Sequence, residues 1–466
     1  MLSFLRQTRQ LVLSNHASAA AAAAAGQPSP IYVIGNQSAD LDSIISAIVY
    51  SYFFSKVALR DRSDGIVKPR PHVPLINLPD VPSGQALRRL RPEFATALWL
   101  STESTYSSIR PEDESSVARL LTEHVVTVAD VREHVRGQGN QQSPTTWDAA
   151  LVDWNALPIK TAGNVRGHGS VEGLEDRITF NVVGCIDHHT EESFVPAISE
   201  EDVNDPSSQP PRVVEVGPGS CTSLVVREAR HRGLWNDNSE ANIHIAKLAL
   251  SAILIDTGNL TAPGKVTDVD REAVAFLENV ISGSSSATSS WNRLSFFEAV
   301  QHAKQHSLDF LTIDEILARD YKDWTVASGR KIGICSVVRS LPWLYEKAES
   351  ENEKSSLEQS SRTGVNREPF LESLRFFALS RSLSIVSVMT AFTAAETGQF
   401  SRELLAWALD GESVSCVERF AQQAAQHLQV EPCSGTQLPP GLKIWKQRDV
   451  TKSRKQVAPL LRDACT

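Results

Sequence analysis

The chain has 466 residues, 41% of them hydrophobic, so it is long enough for two globular domains with separate cores. With 46 lysines and arginines against 55 aspartates and glutamates, its formal net charge of −9 argues against a general nucleic-acid-binding protein, which needs a broad basic surface. We find no apolar run long enough to span a bilayer and expect no membrane partner. The six cysteines form no Cys-x-x-Cys pair, which is typical of free thiols in a reducing compartment.

The first 29 residues differ in composition from the rest of the chain. They contain Arg6, Arg9 and a run of alanines, and no acidic residue precedes Asp40. This composition is typical of a mitochondrial presequence, and a disordered alanine-rich leader is the alternative. We therefore expect a cytoplasmic protein whose residues 1–29 form a separate leader, with mitochondrial targeting left open.

Strand-like and helix-like segments alternate after the leader. "IYVIGN" predicts a short strand over residues 31–36, and a helical pattern follows it. "AALVDWN" (149–155) and "ITFNVVGCIDHH" (178–189) predict two more strands, and residues 244–260 predict a helix whose apolar part ends at Asp256. This alternation predicts an α/β fold with a parallel sheet, in which ligands bind beyond the carboxyl ends of the strands.

The pattern changes after residue 305. The low-complexity segment "SGSSSATSS" (282–290) precedes the change, and the segments that follow it predict a mixed α+β domain. We therefore expect one domain over residues 30–305 and a smaller one over residues 306–466.

Acidic residues and two histidines stand at the ends of the apolar segments of the first domain. They are Asp40 and Asp42 in "SADLDS", Asp153 in "LVDWN", Asp187 with His188 and His189 in "CIDHHT", and Asp256 in "LIDTGN". Carboxylates gathered in one small volume repel each other unless cations neutralise them. Carboxylates with one imidazole suit Mn²⁺ or Mg²⁺, with Co²⁺ as a further candidate. The combination predicts two divalent ions that share a carboxylate and promote attack on phosphorus.

These motifs resemble those of the DHH phosphoesterase superfamily, which is named after its Asp-His-His triplet. "GNQSADLDS", "LVDWN" and "GCIDHHT" resemble its first three motifs, and "GSCTS" and "LIDTGN" resemble its later ones. "DYK" (320–322) and "SRKQVAP" (453–459) resemble the DHHA2 type of second domain. The resemblance implies a parallel-sheet DHH domain with flanking helices, a smaller α+β DHHA2 domain, and an active site in the cleft between them.

The resemblance also implies a role for each residue. The implied metal ligands are Asp40, Asp42, Asp153, His188 and Asp256, with Asp153 shared between the two ions. Asp153, Asp187 and His189 are the implied catalytic residues: His189 would face or protonate the leaving phosphate, and Asp187 would orient the adjacent imidazole. The implied substrate-binding residues are Asn36, Lys322, Arg454 and Lys455.

Two positions depart from the family motifs. Asn36 stands where pyrophosphatases are expected to have a histidine ligand, and Trp154 replaces the histidine of an Asp-His-Asn motif. The resemblance favours a cytosolic, yeast-like exopolyphosphatase that acts on inorganic polyphosphate. A pyrophosphatase or a prune-like cyclic-nucleotide phosphodiesterase is the alternative on the same scaffold. An inactive binding protein and a DHH-type nuclease are further hypotheses, and no pattern indicates an oligomeric state.

Overall fold

The structure is a computed structural model. It describes residues 1–14, 29–60, 67–102, 114–137, 145–160, 165–196, 209–283, 291–309, 311–358, 368–394, 397–433 and 438–465. The chain divides into two compact units, Met1–Ser307 and Leu308–Thr466, which we call the N-terminal and C-terminal units. Each unit has its own sheet and its own hydrophobic core. The division falls two residues after the boundary expected between residues 305 and 306.

Helices and strands alternate along much of the N-terminal unit. Its described helices are α1 (Leu2–Ser14), α2 (Leu41–Phe54), α3 (Gln85–Leu90), α4 (Pro92–Thr102), α5 (Glu114–His124), α6 (Val128–Gly137), α7 (Cys221–His231), α8 (Glu240–Asp256), α9 (Asp268–Ser282) and α10 (Arg293–Gln305). Its described strands are β1 (Ile31–Ile34), β2 (Ala58–Arg60), β3 (Val67–Pro69), β4 (His72–Leu75), β5 (Thr145–Val152), β6 (Ile159–Lys160), β7 (His168–Ser170), β8 (Ile178–Asp187) and β9 (Arg212–Val214).

The main sheet of the N-terminal unit has the described strand order β4-β1-β5-β8-β7-β6, and β9 also pairs with β8. Strands β4, β1, β5, β8 and β9 are parallel, and β6 and β7 form an antiparallel edge. Strand β1, which pairs on both sides, is buried on both faces, with Ile31 and Val33 in one hydrophobic cluster and Tyr32 and Ile34 in another. The predicted α/β fold with a parallel sheet is therefore confirmed.

The first helix departs from the expectation of a separate leader. The composition predicts a detached segment over residues 1–29, whereas Leu2–Ser14 form α1, which packs on the N-terminal unit. Leu5 is fully buried and Val12 is 2% exposed, because their seven-residue spacing places them on one face of the helix. An amphipathic pattern suits a presequence and a helix on a protein core equally well, so composition does not separate the two. Residues 15–28 of the expected leader lie outside the described residues.

The C-terminal unit is a mixed α+β unit, as expected. Its described helices are α11 (Ile313–Arg319), α12 (Leu341–Glu358), α13 (Pro369–Ser380), α14 (Val414–His427) and α15 (Arg454–Asp463). Its described strands are β10 (Tyr321–Thr325), β11 (Lys331–Val337), β12 (Ile385–Thr390), β13 (Phe392–Thr393), β14 (Phe400–Ala408), β15 (Val430–Pro432) and β16 (Leu442–Gln447). The sheet order is β10-β11-β12-β14-β16-β15, with β13 paired to β14; β11 and β12 are parallel and the other pairs are antiparallel.

The structure also bears on the cysteines and on membrane insertion. All six cysteines are free thiols, and only Cys433 is exposed. Within the part of the chain that the structure describes, no helix combines the length and the apolar character that crossing a bilayer requires.

Candidate active site and metal centre

Three parallel strands deliver the predicted site residues to one edge of the N-terminal sheet. Strand β5 ends at Val152 beside Ile186 of β8, and the backbone N–H of Asp153 donates to the carbonyl oxygen of Ile186 at 3.0 Å. Asp187 is the last residue of β8, and the loop after β1 leads to Asp40 at the start of α2. The sheet therefore brings these acidic residues to its carboxyl edge, where the sequence predicts them.

Asp153 lies at the centre of this edge and is 2% exposed. One carboxylate oxygen, Oδ2, accepts hydrogen bonds from Asn36 Nδ2 at 2.8 Å and from Ser43 Oγ at 2.5 Å. The other, Oδ1, is buried and receives no well-aligned hydrogen bond from the described residues, although His188 Nε2 lies 3.1 Å away. A buried carboxylate oxygen without a partner is costly, so this atom requires a proton or a cation.

His188 faces that oxygen with its second ring nitrogen. Its Nδ1 lies 2.9 Å from the carbonyl oxygen of Pro218, so Nδ1 carries the proton and Nε2 keeps a lone pair in the neutral ring. This lone pair and Oδ1 of Asp153 repel each other unless a proton or a metal ion lies between them. Burial disfavours a charge on His188, but Asp153 and Asp42 outweigh it and raise the pKa of His188 to about 10.

The second histidine of the triplet is oriented by Asp187. This fully buried carboxylate accepts from His189 Nδ1 at 2.8 Å and from Asn155 Nδ2 at 2.6 Å. Burial alone would raise the pKa of Asp187, but the hydrogen bonds from His189 and Asn155 outweigh burial and lower it. The carboxylate keeps the proton on Nδ1 of His189, which makes Nε2 the ring nitrogen that can meet a substrate.

Asp42 is buried beneath the N-terminus of α7. It accepts the backbone N–H groups of Cys221 at 2.6 Å and Thr222 at 3.0 Å, and the hydroxyls of Ser220 and Thr222 at 2.7 Å each. Asp42 thus caps the helix, whereas the side chain of Ser220, the N-cap residue, makes no capping bond of its own. Because Oδ2 accepts only the Cys221 N–H among these bonds, it keeps a lone pair for a cation. The ligand role of Asp42 stays a prediction.

The remaining predicted ligands, Asp40 and Asp256, lie at helix ends. Asp40 is the exposed N-cap of α2 and accepts from Ser43 N at 3.1 Å. Asp256 is the last residue of α8, and Lys304 Nζ lies 3.9 Å from its Oδ1. Burial and the negative charge of Asp42 raise the pKa of Asp256 to about 8. The effect of Asp42 on this pKa shows that Asp256 lies close enough to the acidic residues of the sheet edge for their charges to interact.

The residues at this edge fit a divalent metal ion. Ligand atoms of Asp153, His188 and His189 lie within 4.8 Å of one another. Burial raises the pKa of Asp153 well above its ordinary value, and Asp42 and Asp40 raise it further, as expected where carboxylates cluster without a compensating cation. A cation beside Oδ1 would reduce the repulsion among the carboxylates. It would also reduce the repulsion between the lone pairs of Oδ1 and of His188 Nε2. The geometry thus fits a metal, and the number of ions stays a prediction.

The two departures from the family motifs have structural partners. Asn36 donates to the Asp153 carboxylate and accepts from the backbone N–H of Ser38 at 2.9 Å. Trp154 donates its indole N–H to the carbonyl oxygen of Ile34, at the end of β1, at 3.0 Å. Asn36 therefore holds Asp153 in place, and Trp154 ties β5 to β1. The substrate-binding role expected for Asn36 stays a prediction.

The predicted substrate-binding cations belong to the C-terminal unit. Arg454, the first residue of α15, pairs with the Asp320 carboxylate at 2.8 Å and donates to its carbonyl oxygen at 3.0 Å. This pairing brings the "SRK" and "DYK" segments together. Lys322 lies exposed on β10, and Lys455 lies exposed in the first turn of α15. Their roles, and the expected cleft between the units, stay predictions.

Sequence reasoning missed several residues that shape the site. Ser43 donates to Asp153, and Asn155 donates to Asp187. Each of the two donors follows a predicted site residue within two positions, so its place beside a motif could have indicated it. Lys304 lies on α10, far along the chain from Asp256, and no local pattern marks it.

Comparison with known proteins identifies the family. Residues 30–253 match the DHH family, N-terminal domain, and residues 298–464 match the DHHA2 domain. The chain therefore belongs to the DHH phosphoesterase superfamily, in the group that carries a DHHA2 domain, and is a hydrolase of that family. The resemblance expected from the motifs is confirmed.

Two individual proteins are similar to most of the chain. A protein of Schizosaccharomyces pombe (strain 972 / ATCC 24843) described as "Putative exopolyphosphatase" is 27% identical over an alignment of 465 residues, and the match covers 98% of this chain and 95% of the relative. A solved structure described as "Methanococcus jannaschii putative family II inorganic pyrophosphatase" is 18% identical with a TM-score of 0.46, and the match covers 93% of this chain and 98% of that chain.

Proposed function

We propose that this protein is a metal-dependent exopolyphosphatase that hydrolyses the terminal phosphoanhydride bond of inorganic polyphosphate and releases orthophosphate. The observation that carries the proposal is the buried pair of Asp153 Oδ1 and His188 Nε2, which face each other across 3.1 Å without a well-aligned hydrogen bond between them. Such a pair suits a divalent ion, and phosphoanhydride hydrolysis is chemistry that such ions support. The similarity to the fission yeast protein favours polyphosphate as the substrate.

The ligand set proposed for Mn²⁺ or Mg²⁺, with Co²⁺ as a further candidate, is Asp40, Asp42, Asp153, His188 and Asp256. Ions bound there would lower the pKa of a coordinated water and neutralise the phosphate oxygens. The protein holds Asp153 in place before any ion binds. Asn36 and Ser43 hold Oδ2 of Asp153, so Oδ1 faces His188 with little freedom to turn away. Such preorganisation avoids a reorganisation cost during the reaction.

His189 is the proposed proton carrier for the leaving phosphate. Its side chain is 39% exposed, and Asp187 fixes the proton on Nδ1. When Nε2 also carries a proton, the ring is a cation, and the buried Asp187 carboxylate stabilises it. Nε2 can then donate to the bridging oxygen as the phosphoanhydride bond breaks.

Arg454, Lys455 and Lys322 are the proposed phosphate-binding residues. Arg454 and Lys455 occupy the first turn of α15, which has no acidic residue, although cations there oppose the positive end of the helix dipole. A bound polyanion would turn this unfavourable arrangement into a favourable one. Arginine suits bidentate contacts with phosphate oxygens, and lysine acts as a point charge.

Phosphate release by the purified full chain tests the proposal. Long polyphosphate, tripolyphosphate, pyrophosphate and cyclic AMP are offered in parallel, each with Mg²⁺, Mn²⁺ or Co²⁺. We expect release from polyphosphate and little from pyrophosphate, because Asn36 replaces the histidine expected in pyrophosphatases. Release from pyrophosphate or cyclic AMP alone would instead support the alternative pyrophosphatase or phosphodiesterase.

A matched pair of variants tests the substrate-binding residues. Arg454→Gln is expected to raise the KM for polyphosphate about tenfold or more, because a charge-assisted contact is lost. Arg448→Gln removes the same charge from the same unit at an exposed pair with Glu431 and serves as the control. Equal KM values in the two variants would contradict a role for Arg454.

A further inference from the structure

The loop that precedes α7 contacts several parts of the metal centre. The carbonyl oxygen of Pro218 sets the proton position of His188, and residues 220–222 supply the donors that hold Asp42. A Cβ atom added at Gly219 would lie 2.0 Å from the carbonyl oxygen of Lys265 and 2.8 Å from Thr257 Cγ2. The loop therefore packs tightly beside the end of α8, which carries Asp256.

Asp270 holds this loop from the side opposite to the site. It lies in the first turn of α9 and is fully buried. Its Oδ2 accepts the backbone N–H of Gly219 at 2.9 Å, and its Oδ1 accepts the hydroxyl of Ser223 at 2.7 Å. The two bonds fasten the loop on both sides of the residues that bind Asp42.

A helix cap explains only part of this arrangement. Oδ2 of Asp270 also accepts the backbone N–H of Thr267 at 2.8 Å, which belongs to a capping box for α9, and the hydroxyl of Thr267 at 2.8 Å. An exposed aspartate would serve that purpose equally well. The bonds to Gly219 and Ser223, 51 and 47 residues away along the chain, require a buried carboxylate and serve the loop.

We infer that Asp270 is a positioning residue for the metal centre: by anchoring Gly219 and Ser223 it places the Pro218 carbonyl against His188 and the start of α7 against Asp42. The inference rests on the metal dependence proposed above. Asp270 contacts neither His188 nor Asp42 and acts through the loop. Groups that hydrogen-bond directly to metal ligands typically change metal affinity about 10- to 100-fold when they are altered, and Asp270 acts on those groups through the loop.

Equilibrium Mn²⁺ binding by the full chain tests the inference without an activity assay. The free ion is titrated by its electron paramagnetic resonance signal for wild type, Asp270→Asn and the matched control Asp268→Asn. Asp268 lies in the same turn of α9, is exposed, and loses the same charge. Circular dichroism establishes that each variant is folded. We expect Asp270→Asn to raise the Kd for Mn²⁺ about tenfold or more, and Asp268→Asn to stay within about twofold of wild type.

The outcomes separate this inference from the proposed function. A wild-type chain that binds no Mn²⁺ overturns the metal-dependent function and the positioning role with it. A folded Asp270→Asn protein with wild-type affinity overturns the positioning role alone and leaves Asp270 as a helix cap. Ser223→Ala removes one anchor only and decides the matter where Asp270→Asn does not fold. We expect it to weaken Mn²⁺ binding several-fold, and unchanged binding overturns the inference.

Discussion

Asp153 shows how one residue combines a conformational and an electrostatic requirement. Its φ of 59° lies in the left-handed region, which asparagine and aspartate tolerate better than most residues. Its carboxylate is buried among other acidic groups, and this burial raises its pKa well above the ordinary value. Both features are costs to the fold that a bound cation would offset.

Asp153→Asn is therefore expected to separate stability from function. The amide keeps the left-handed backbone and removes the unfavourable charge, so the metal-free variant should melt at or above the wild-type temperature. The rise in melting temperature that Mn²⁺ gives to wild type should disappear, together with polyphosphate hydrolysis. Thermal melts in EDTA and in Mn²⁺ measure both effects, with the exposed Asp176→Asn as the control. A variant that still gains stability from Mn²⁺ would contradict the role of Asp153 as a ligand.

His72 is a second residue whose burial has a measurable consequence. It is fully buried on β4 near the rings of Tyr50 and Phe54, and burial lowers its pKa from 6.5 to about 3. The native protein keeps His72 neutral, while the unfolded chain protonates it below about pH 6.5. The contribution to stability is therefore complete above pH 6.5 and declines as the pH falls from 6.5 towards 3.

We expect the wild-type chain to lose about 1.4 kcal/mol more than His72→Asn when the pH falls from 7.5 to 5.5, since the variant has no imidazole to protonate in the unfolded state. Urea unfolding at the two pH values measures this difference. The exposed His231→Asn variant is the control and should keep the wild-type pH dependence. Equal pH dependence in His72→Asn and wild type would show that His72 does not contribute.

Among the elements, α1 shows how a helix gains its role from what it packs against. Its apolar face meets the N-terminal core through Leu5 and Val12. Arg9 forms an ion pair with Asp130 at 3.3 Å and donates to the carbonyl oxygen of Val125. Cleavage of a presequence beyond residue 14 would remove all of these contacts.

Leu5→Ala is expected to lower the free energy of unfolding by about 2–5 kcal/mol, because it leaves a cavity in a packed interior. Gln7→Ala, on the exposed face of the same helix, should change stability by about 0.5 kcal/mol or less. Urea denaturation measures both. Similar values for the two variants would mean that α1 is not part of the folded core.

At the scale of the whole molecule, the two units divide the proposed chemistry. Every proposed metal ligand lies in Met1–Ser307, and Lys322, Arg454 and Lys455 lie in Leu308–Thr466. The C-terminal unit has its own core, which includes Ile334, Leu404 and Phe420. Metal binding and phosphate binding are therefore expected to be separable by cutting the chain.

A fragment of residues 308–466 should unfold cooperatively and bind no Mn²⁺, whereas residues 1–307 should bind Mn²⁺ as the full chain does. Binding stabilises only the part that holds the ion, so calorimetry with and without Mn²⁺ distinguishes the two fragments. Polyphosphate hydrolysis should be lost from residues 1–307, which lack the proposed phosphate-binding cations. Mn²⁺ binding by the 308–466 fragment would contradict this division.

Local sequence patterns alone determined much of the fold and of the candidate site. Apolar runs ending in Asp153 and Asp187 marked the carboxyl edge of a parallel sheet, because strand direction sends such residues to one side. The same motifs indicated the family. The change in sequence pattern after residue 305 indicated a second domain.

Only the tertiary structure decided which groups meet across the chain. It placed Pro218 against His188, Asp270 against Gly219, and α1 on the core, because these contacts join segments that are far apart in sequence and depend on packing. It also left Oδ1 of Asp153 without a well-aligned hydrogen bond, since Asn36 and Ser43 both donate to Oδ2 and Oδ1 faces His188 Nε2 at 3.1 Å. Sequence periodicity predicts local conformation. The partners of a side chain's hydrogen bonds come from distant segments, which only folding brings together.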